Sequence, residues 1–237
     1  LKLVRKLRER KHRDREGLFA TEGEDLLEAG LATGAQPRFV LVAAGSGLPA
    51  IDPASDGSRP SVDVVAQDLL ASVSSLGSGT RTIAVWERPA EPAPVAPCVF
   101  LDAVGDPGNV GTTVRTAHAL LDATVALGPG CADPYGPKAT RASMGSLFAR
   151  PPATVAGVEA TPGPRVALVA HGGKGLDALA GAATLCLGSE RAGLRAEVVA
   201  ACDSVVTIPL HGGVESLNVA AAAAVACARM SEVDADA

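Results

Sequence analysis

The stretch Asp106 to Ala117, DPGNVGTTVRTA, sets an Asn, two glycines and an Arg at the mouth of a predicted helix. Pro107 and Gly108 break whatever precedes it, and Asn109 is suited to cap it by accepting a first-turn N–H. Val110, Val114, Ala117 and Leu121 recur at the spacing of a buried stripe. Arg115 lies beside that stripe, on the side shared with His118 and Asp122. Unpaired N–H groups make such a mouth a natural ligand site, although a surface Arg on a capped helix is the plainer reading of the same residues. Lys138, Arg141 and Ser143 fall at i, i+3 and i+5 of a second predicted helix, so its two cations share a side. They can hold phosphates or simply face solvent. Tyr135, the chain's only tyrosine, lies just ahead and is suited to stack on a base or pack a loop.

Other chemistries fail on spacing. The HGGKG run, His171 to Gly175, has the glycines of a phosphate loop, but that pattern needs Ser or Thr after the Lys and here Gly175 follows Lys174. Gly105, Gly108 and Gly111 are spaced G-x-x-G-x-x-G, which is not the dinucleotide fingerprint, and no G-x-S-x-G elbow occurs. His12, His118, His171 and His211 lie far apart with no paired ligand spacing, so no metal is expected.

The elements that must position these residues fall into two regions. Four prolines among residues 89–97 exclude helix and most strand pairing there, which predicts a stiff linker between a domain at 1–88 and another at 98–237. Upstream, Glu22 to Ala32 and Asp68 to Ser74 read as helices, and Phe39 to Val42, Val62 to Val65 and Thr82 to Val85 as strands: a small α/β domain with a mobile Gly/Ser/Pro loop from Gly45 to Pro60. Downstream, CVFLDAV, ATVAL, RVALVA, ATLCL and SVVTI are short, β-branched and separated by helical patterns. They predict a mostly parallel sheet covered on both faces, with ligands at the carboxyl ends of its strands.

Composition narrows the class. In 237 residues, 47% are hydrophobic and 20% charged, which is ordinary globular usage. Aromatics are only 3%, so nucleic-acid binding cannot lean on an extended stacking platform. The net charge of −5 is unevenly spread: residues 1–15 hold eight Lys or Arg against Glu9 and Asp14, leaving the remainder at −11. A basic arm on an acidic body suits a polyanionic partner, with Lys6, Arg10 and Arg13 among the candidate contacts, although a solvated helix face has the same composition. Five scattered cysteines without a C-x-x-C pair, and no apolar signal segment at the start, predict reduced thiols in the cytoplasm. The longest uncharged apolar run, Val219 to Ala228, is too short to span a bilayer, which takes roughly 20 residues, so no membrane partner is expected. An Ala-rich helix there must be covered on nearly all sides, as a core helix or through a second copy. A homodimer is the economical expectation.

Three islands, DPGNVGTTVRTA at Asp106 to Ala117, LGPGCADPYGPKATRASMGSLF at Leu127 to Phe148, and LGSERAGL at Leu187 to Leu194 continued by IPLHGGVESLNVA at Ile208 to Ala220, together resemble the three motifs of the SpoU/TrmH family of RNA 2′-O-ribose methyltransferases in the SPOUT superfamily. The resemblance spans residues 98–237, and EGLFATEGEDLLEAGLATG, Glu16 to Gly34, more loosely resembles the opening of the ribosomal-protein-like domain with which many members bind substrate. It implies a C-terminal α/β domain tied in a deep trefoil knot, S-adenosylmethionine as cofactor, and ribosomal or transfer RNA as substrate. By motif, Gly188, Ser189, Ile208, Pro209, Ser216, Leu217 and Asn218 would hold the cofactor, and Arg115, Asn109 and Glu190 would serve catalysis. Base methylation by a SPOUT relative, and a non-catalytic RNA-binding or assembly factor that keeps the fold, stay open as alternatives. Ala220, Met144 and the Ser74 to Arg81 segment depart from the usual pattern, the last bearing on which RNA is chosen.

Overall fold

A computed structural model of the chain describes residues 1–235 apart from Leu48, residues 54–56, Ser58 and residues 76–78, with side chains described as far as Glu232. Parts of the Gly45–Pro60 loop and of the Ser74–Arg81 turn therefore lie outside the described residues. The chain forms two compact units, Leu1–Ala90 with Tyr135–Ala149, and Glu91–Pro134 with Arg150–Ala237.

The basic segment is not an extended arm. It folds into α1 (Lys2–Leu7) and α2 (Arg10–Glu16), which is stopped by Gly17 in the left-handed region. Val4 and Leu7 enter the core of the first unit with Leu18, Leu41, Leu70, Ile83 and Val85. After β1 (Leu18–Glu22) come α3 (Glu24–Ala32), β2 (Phe39–Ala43), β3 (Ser61–Val65), α4 (Gln67–Val73) and β4 (Thr82–Glu87). The sheet order is β1-β4-β2-β3, with β4 antiparallel to both neighbours and β2 parallel to β3. β1 has no counterpart among the expected strands. LFATE alternates poorly, yet it pairs along its whole length with β4, where Phe19 faces Trp86.

The chain then enters the second unit through β5 (Cys98–Asp102), α5 (Pro107–Leu121) and β6 (Thr124–Leu127). It returns to the first for α6 (Pro137–Ser143) and α7 (Ser146–Ala149). There Tyr135 and Phe148 pack on Phe19, with ring centroids 5.0 and 5.7 Å away, and Phe148 also meets Trp86 edge-on at 4.7 Å. The region 98–237 is thus interrupted: residues 135–149, which motif order places with the second domain, contribute to the core of the first. Gly145 shows how close this packing is, since at φ +88° an added Cβ would stand 2.3 Å from Ala29 Cβ.

The second unit is completed by β7 (Ala153–Thr154), β8 (Arg165–Leu168), β9 (Thr184–Gly188), α8 (Ala196–Ala200), β10 (Ser204–Val206) and α9 (Val219–Ala235). Its sheet runs β10-β8-β9-β5-β6-β7 with every pairing parallel. All residues of β5 and β6 are buried, as strands covered on both faces require. α5 starts three residues earlier than a cap at Asn109 would allow. Asp106 is the N-cap, its carboxylate accepting Asn109 N–H at 3.0 Å, and Pro107 fills the first helical position. Asn109 therefore lies in the first turn with its side-chain amide unused by the cap. α9 packs against α5, with Val219, Ala220, Ala223, Ala226, Cys227 and Met230 buried and Ala221 and Val225 exposed. The helix is covered on one side rather than all round.

Candidate active site

The site is built where β5 and β9 end side by side, Asp102 standing in register with Gly188. Beyond Gly188 the chain makes a tight turn closed by Gly193 N–H donating to Ser189 O at 2.9 Å. Gly188 is indispensable to that turn. A Cβ on it would stand 2.0 Å from Gly193 C and 2.1 Å from Leu194 N, both backbone atoms that cannot swing aside. The close approach for which a glycine is needed is thus to the chain's own backbone.

Below the turn lies an ion pair that sequence spacing did not single out. The Asp102 carboxylate is wholly buried. It accepts the Arg195 backbone N–H at 3.0 Å, Nε at 2.9 Å and Nη2 at 2.7 Å. This fork geometry matches guanidinium to carboxylate, and the hydrogen bonds from Arg195 to Asp102 raise the Arg195 pKa above its ordinary value. The pair anchors the C-terminal end of the 189–194 turn to the end of β5. The available signal was an aspartate closing an otherwise apolar strand, CVFLD, where an unpaired charge would be costly.

The three islands meet at Asn109. Its Nδ2 donates to Glu190 Oε1, and its Oδ1 accepts from Asn218 Nδ2 at 3.1 Å. Asn218 Oδ1 in turn accepts Ala220 N–H at 2.9 Å and Ala221 N–H at 3.3 Å, capping α9. One amide thereby joins the first turn of α5, the 189–193 turn and the start of α9.

Beside this network lies a pocket of about 400 Å³. Leu187, Ile208 and Leu217 give it apolar walls, and Ser189, Glu190 and Ser216 bring polar groups. Gly188 also lines it, together with the segment Leu168 to His171 that sequence reading overlooked. The volume and the mixture of apolar wall with a few polar groups suit a small organic ligand. Ile208 and Leu217 offer apolar surface to such a ligand, and the polar turn at Ser189 and Glu190 offers hydrogen-bonding groups. Pro209 and Asn218 adjoin lining residues without lining the pocket themselves.

The remaining expected residues are placed elsewhere. Arg115 is exposed on α5, outside the pocket lining, and makes no ion pair among the described residues. Lys138 and Arg141 are exposed on α6 in the first unit. Lys6 is half-buried, and Arg10 Nε lies 3.6 Å from Asp14. Arg13 requires correction as an RNA contact: it is 4% exposed, and its Nη1 donates to Leu7 O at 2.7 Å and Arg8 O at 2.9 Å. Its charge is spent on the carbonyls between α1 and α2. HGGKG lies against the end of β10, Lys174 N–H donating to Val205 O and Thr207 N–H to Lys174 O, both at 2.9 Å, so its glycines serve backbone pairing. Among the described residues no cluster of His, Cys, Asp and Glu is arranged to hold a metal ion, and no helix is long and apolar enough to cross a membrane.

Comparison with known proteins agrees with this geometry. Residues 1–84 match the MRM3-like substrate binding domain. The chain is 33% identical over 232 residues to the 23S rRNA (guanosine(2553)-2′-O)-methyltransferase RlmP of Bacillus subtilis, covering 93% of this chain and 91% of that one. A TrmH-family protein from Porphyromonas gingivalis superposes with a TM-score of 0.81 at 35% identity, over 96% of this chain and 95% of its own. The SpoU methyltransferase AviRb of Streptomyces viridochromogenes, solved in complex with the cofactor AdoMet, superposes with a TM-score of 0.84 at 28% identity, over 100% and 98% of the two chains. Residues 96–228, which carry the whole Asn109 network and the pocket beside it, match the SpoU rRNA methylase family, and the chain belongs to that family.

Proposed function

We propose that this protein transfers a methyl group from S-adenosylmethionine to a ribose 2′-hydroxyl of ribosomal RNA. The observation that carries the reading is the Asn109–Glu190–Asn218 network at the edge of a ligand-sized pocket, in a chain whose relatives include a 23S rRNA 2′-O-methyltransferase and an AdoMet-bound SpoU enzyme. Gly188, Ser189, Ile208, Ser216 and Leu217 hold the cofactor, with Pro209 and Asn218 shaping the loop behind them. When bound, S-adenosylmethionine supplies an electrophilic methyl group on a sulfonium centre. The protein's part is to orient the hydroxyl toward that methyl and exclude water, which can account for a large share of the rate.

Asn109, locked between Glu190 and Asn218, is placed to direct the ribose. Arg115 holds the adjacent phosphate. A guanidinium stays protonated and is a poor proton acceptor, so the 2′-hydroxyl proton leaves to the RNA phosphate that Arg115 holds rather than to the guanidinium. Lys6, Arg10, Lys138 and Arg141 contact RNA backbone from the first unit, Leu1–Ala90 with Tyr135–Ala149 forming the substrate-binding part and the second unit the catalytic part. The protein acts as a homodimer. Exposed apolar side chains on α5 and α9, Leu120 at 40% and Val225 at 41%, support this reading as surface that a second copy would cover. All five cysteines are free thiols, which accords with the reducing cytoplasm.

The test is methyl transfer from labelled S-adenosylmethionine to protein-free 23S rRNA, followed by mapping of the modified atom. Label on a 2′-oxygen is expected, with a single-turnover rate lowered about 100-fold or more in Asn109→Ala and Arg115→Ala at saturating cofactor and RNA. Label on a base, or a near-normal rate in Arg115→Ala, would overturn the assignment. Saturable cofactor binding by calorimetry is the first control. Its blocked variant should be Leu217→Trp, since a side chain at position 188 would break the backbone turn.

A further inference from the structure

The first unit contains a second cavity, of about 640 Å³, whose lining residues all belong to that unit. Arg38, Arg59 and Arg88 line it, opposed by Glu87, the one carboxylate among the lining residues. Arg88 is fixed in place: its Nη1 lies 2.8 Å from Asp14 Oδ1 and its guanidinium 5.2 Å from the centre of the Tyr135 ring. Arg38 and Arg59 are exposed and make no ion pair among the described residues. Two guanidinium groups facing one cavity without a carboxylate partner repel each other and attract an anion. Gln36, in the same lining, has its Oε1 buried with no hydrogen-bond partner. A buried amide oxygen left unpaired is costly, and a turn of the Gln36 amide toward the cavity it lines would let a ligand N–H satisfy it. The remaining lining is mostly apolar, with Pro37, Pro60 and Pro89 beside Trp86 and Phe148.

An anionic group, an N–H donor and a flat apolar body, within one cavity of small-molecule size, describe a nucleotide. We propose that this cavity seats one unstacked nucleotide of the RNA substrate, its phosphate on Arg38 and Arg59, a base N–H on Gln36 Oε1, and its ring against the proline wall and Phe148. Sequence-specific RNA recognition commonly splays single bases out of loops and grips them in this manner. The cavity thereby supplies, at one place, the stacking surface that a chain with 3% aromatic residues cannot supply along a platform. It rests on the proposal that RNA is the substrate, but binding of a lone nucleotide can be measured without that premise.

Trp86 is the chain's only tryptophan and forms part of the cavity wall, so its fluorescence reports on this site. The full chain is titrated with uridine monophosphate, uridine and inorganic phosphate. A saturable change in Trp86 emission is expected with uridine monophosphate, weaker with either part alone. Affinity should fall at least 10-fold in Arg38→Ala/Arg59→Ala and in Gln36→Leu, with unchanged thermal melting and unchanged S-adenosylmethionine binding. With protein-free 23S rRNA as probe, the double arginine variant should bind at least 10-fold more weakly, and the slope of log affinity against log salt should flatten by about 1 to 2, as loss of two phosphate contacts predicts. No saturable response to uridine monophosphate, or a response that the variants leave intact, overturns the site. So does rRNA affinity that the double variant does not change. Nucleotide binding that the variants abolish, in a protein that methylates no RNA, supports the cavity and sinks the methyltransferase reading instead.

Discussion

Asp102 and Arg195 form the most consequential pair that spacing alone did not reveal, because nothing local in CVFLD or GLRAE says that one will reach the other across 93 residues. Arg195 is 43% exposed at its side chain and Asp102 fully buried, so the pair is worth less than a wholly buried one. Asp102→Asn, which keeps the shape but accepts fewer of the three N–H groups, should cost about 2 kcal/mol in urea unfolding. Arg195→Ala should cost more, since it strands a buried carboxylate. Both should weaken S-adenosylmethionine binding by loosening the 189–194 turn. The cysteines carry a second expectation. Burial pushes the Cys98 thiol up to about 11 and that of Cys227 up to about 12 from a starting value of 9.0. The unfolded chain releases these protons near pH 9 while the folded chain retains them. Their stabilising effect is therefore complete below pH 9 and is lost as pH rises toward 11 and 12. Unfolding at about pH 10.5 should show a loss of about 2 kcal/mol for each, relative to pH 8. Replacing Cys227 with Ala should remove its share of that slope. Cys202 behaves oppositely: a hydrogen bond from Cys186 lowers its pKa. It is also half-exposed, so mass spectrometry should find it alkylated by iodoacetamide before the others.

Much of the helix and strand pattern was legible because the signals were local. The apolar runs of the second region became β5, β6, β8, β9 and β10, and the Val110, Val114 and Ala117 stripe became the buried face of α5. What escaped depended on partners distant in sequence. β1 takes its conformation from β4, and the basic N-terminal segment turned out to be two short helices because Val4 and Leu7 had a core to enter. The cap of α5 was misplaced for a subtler reason. Asp106 and Asn109 are both good capping residues, and only the position of Pro107, ideal as the first helical residue, separates them. That distinction matters for function, since an Asn109 engaged as a cap could not bridge Glu190 and Asn218. The 188–194 turn admits a sharp test. Gly188→Ala forces a Cβ to within 2.0 Å of backbone, so the second unit should be destabilised by more than about 3 kcal/mol, or the protein should be recovered misfolded. Gly193→Ala meets nothing within 4 Å and suffers only from its positive φ of 68°. It should cost about 1 kcal/mol, giving a matched control in the same turn by denaturant titration.

The proline-rich stretch suggested a break after residue 88, whereas the first unit is assembled from two stretches of chain. If α5 and α9 present the dimer face, Val225→Glu should yield a monomer by light scattering at micromolar concentration with the fold of each chain retained by circular dichroism, because position 225 is solvent-facing within one protomer. A dimer that survives this change, and Leu120→Glu as well, would place the contact elsewhere. The excursion of residues 135–149 into the first unit has a different kind of consequence, one of timing. A contiguous N-terminal domain can complete its fold while the ribosome is still translating the rest of the chain. Here the rings of Phe19 and Trp86 wait for Tyr135 and Phe148. At synthesis rates of about 5–20 residues per second, the stretch from Ala90 to Ala149 takes roughly 3 to 12 s to appear. During that interval a nascent chain ending anywhere in β5, α5 or β6 exposes an unfinished aromatic core. Such chains are natural clients for chaperones, and a gene truncated at the proline-rich stretch, however natural that boundary looks in sequence, should produce a sticky fragment rather than a free-standing RNA-binding domain.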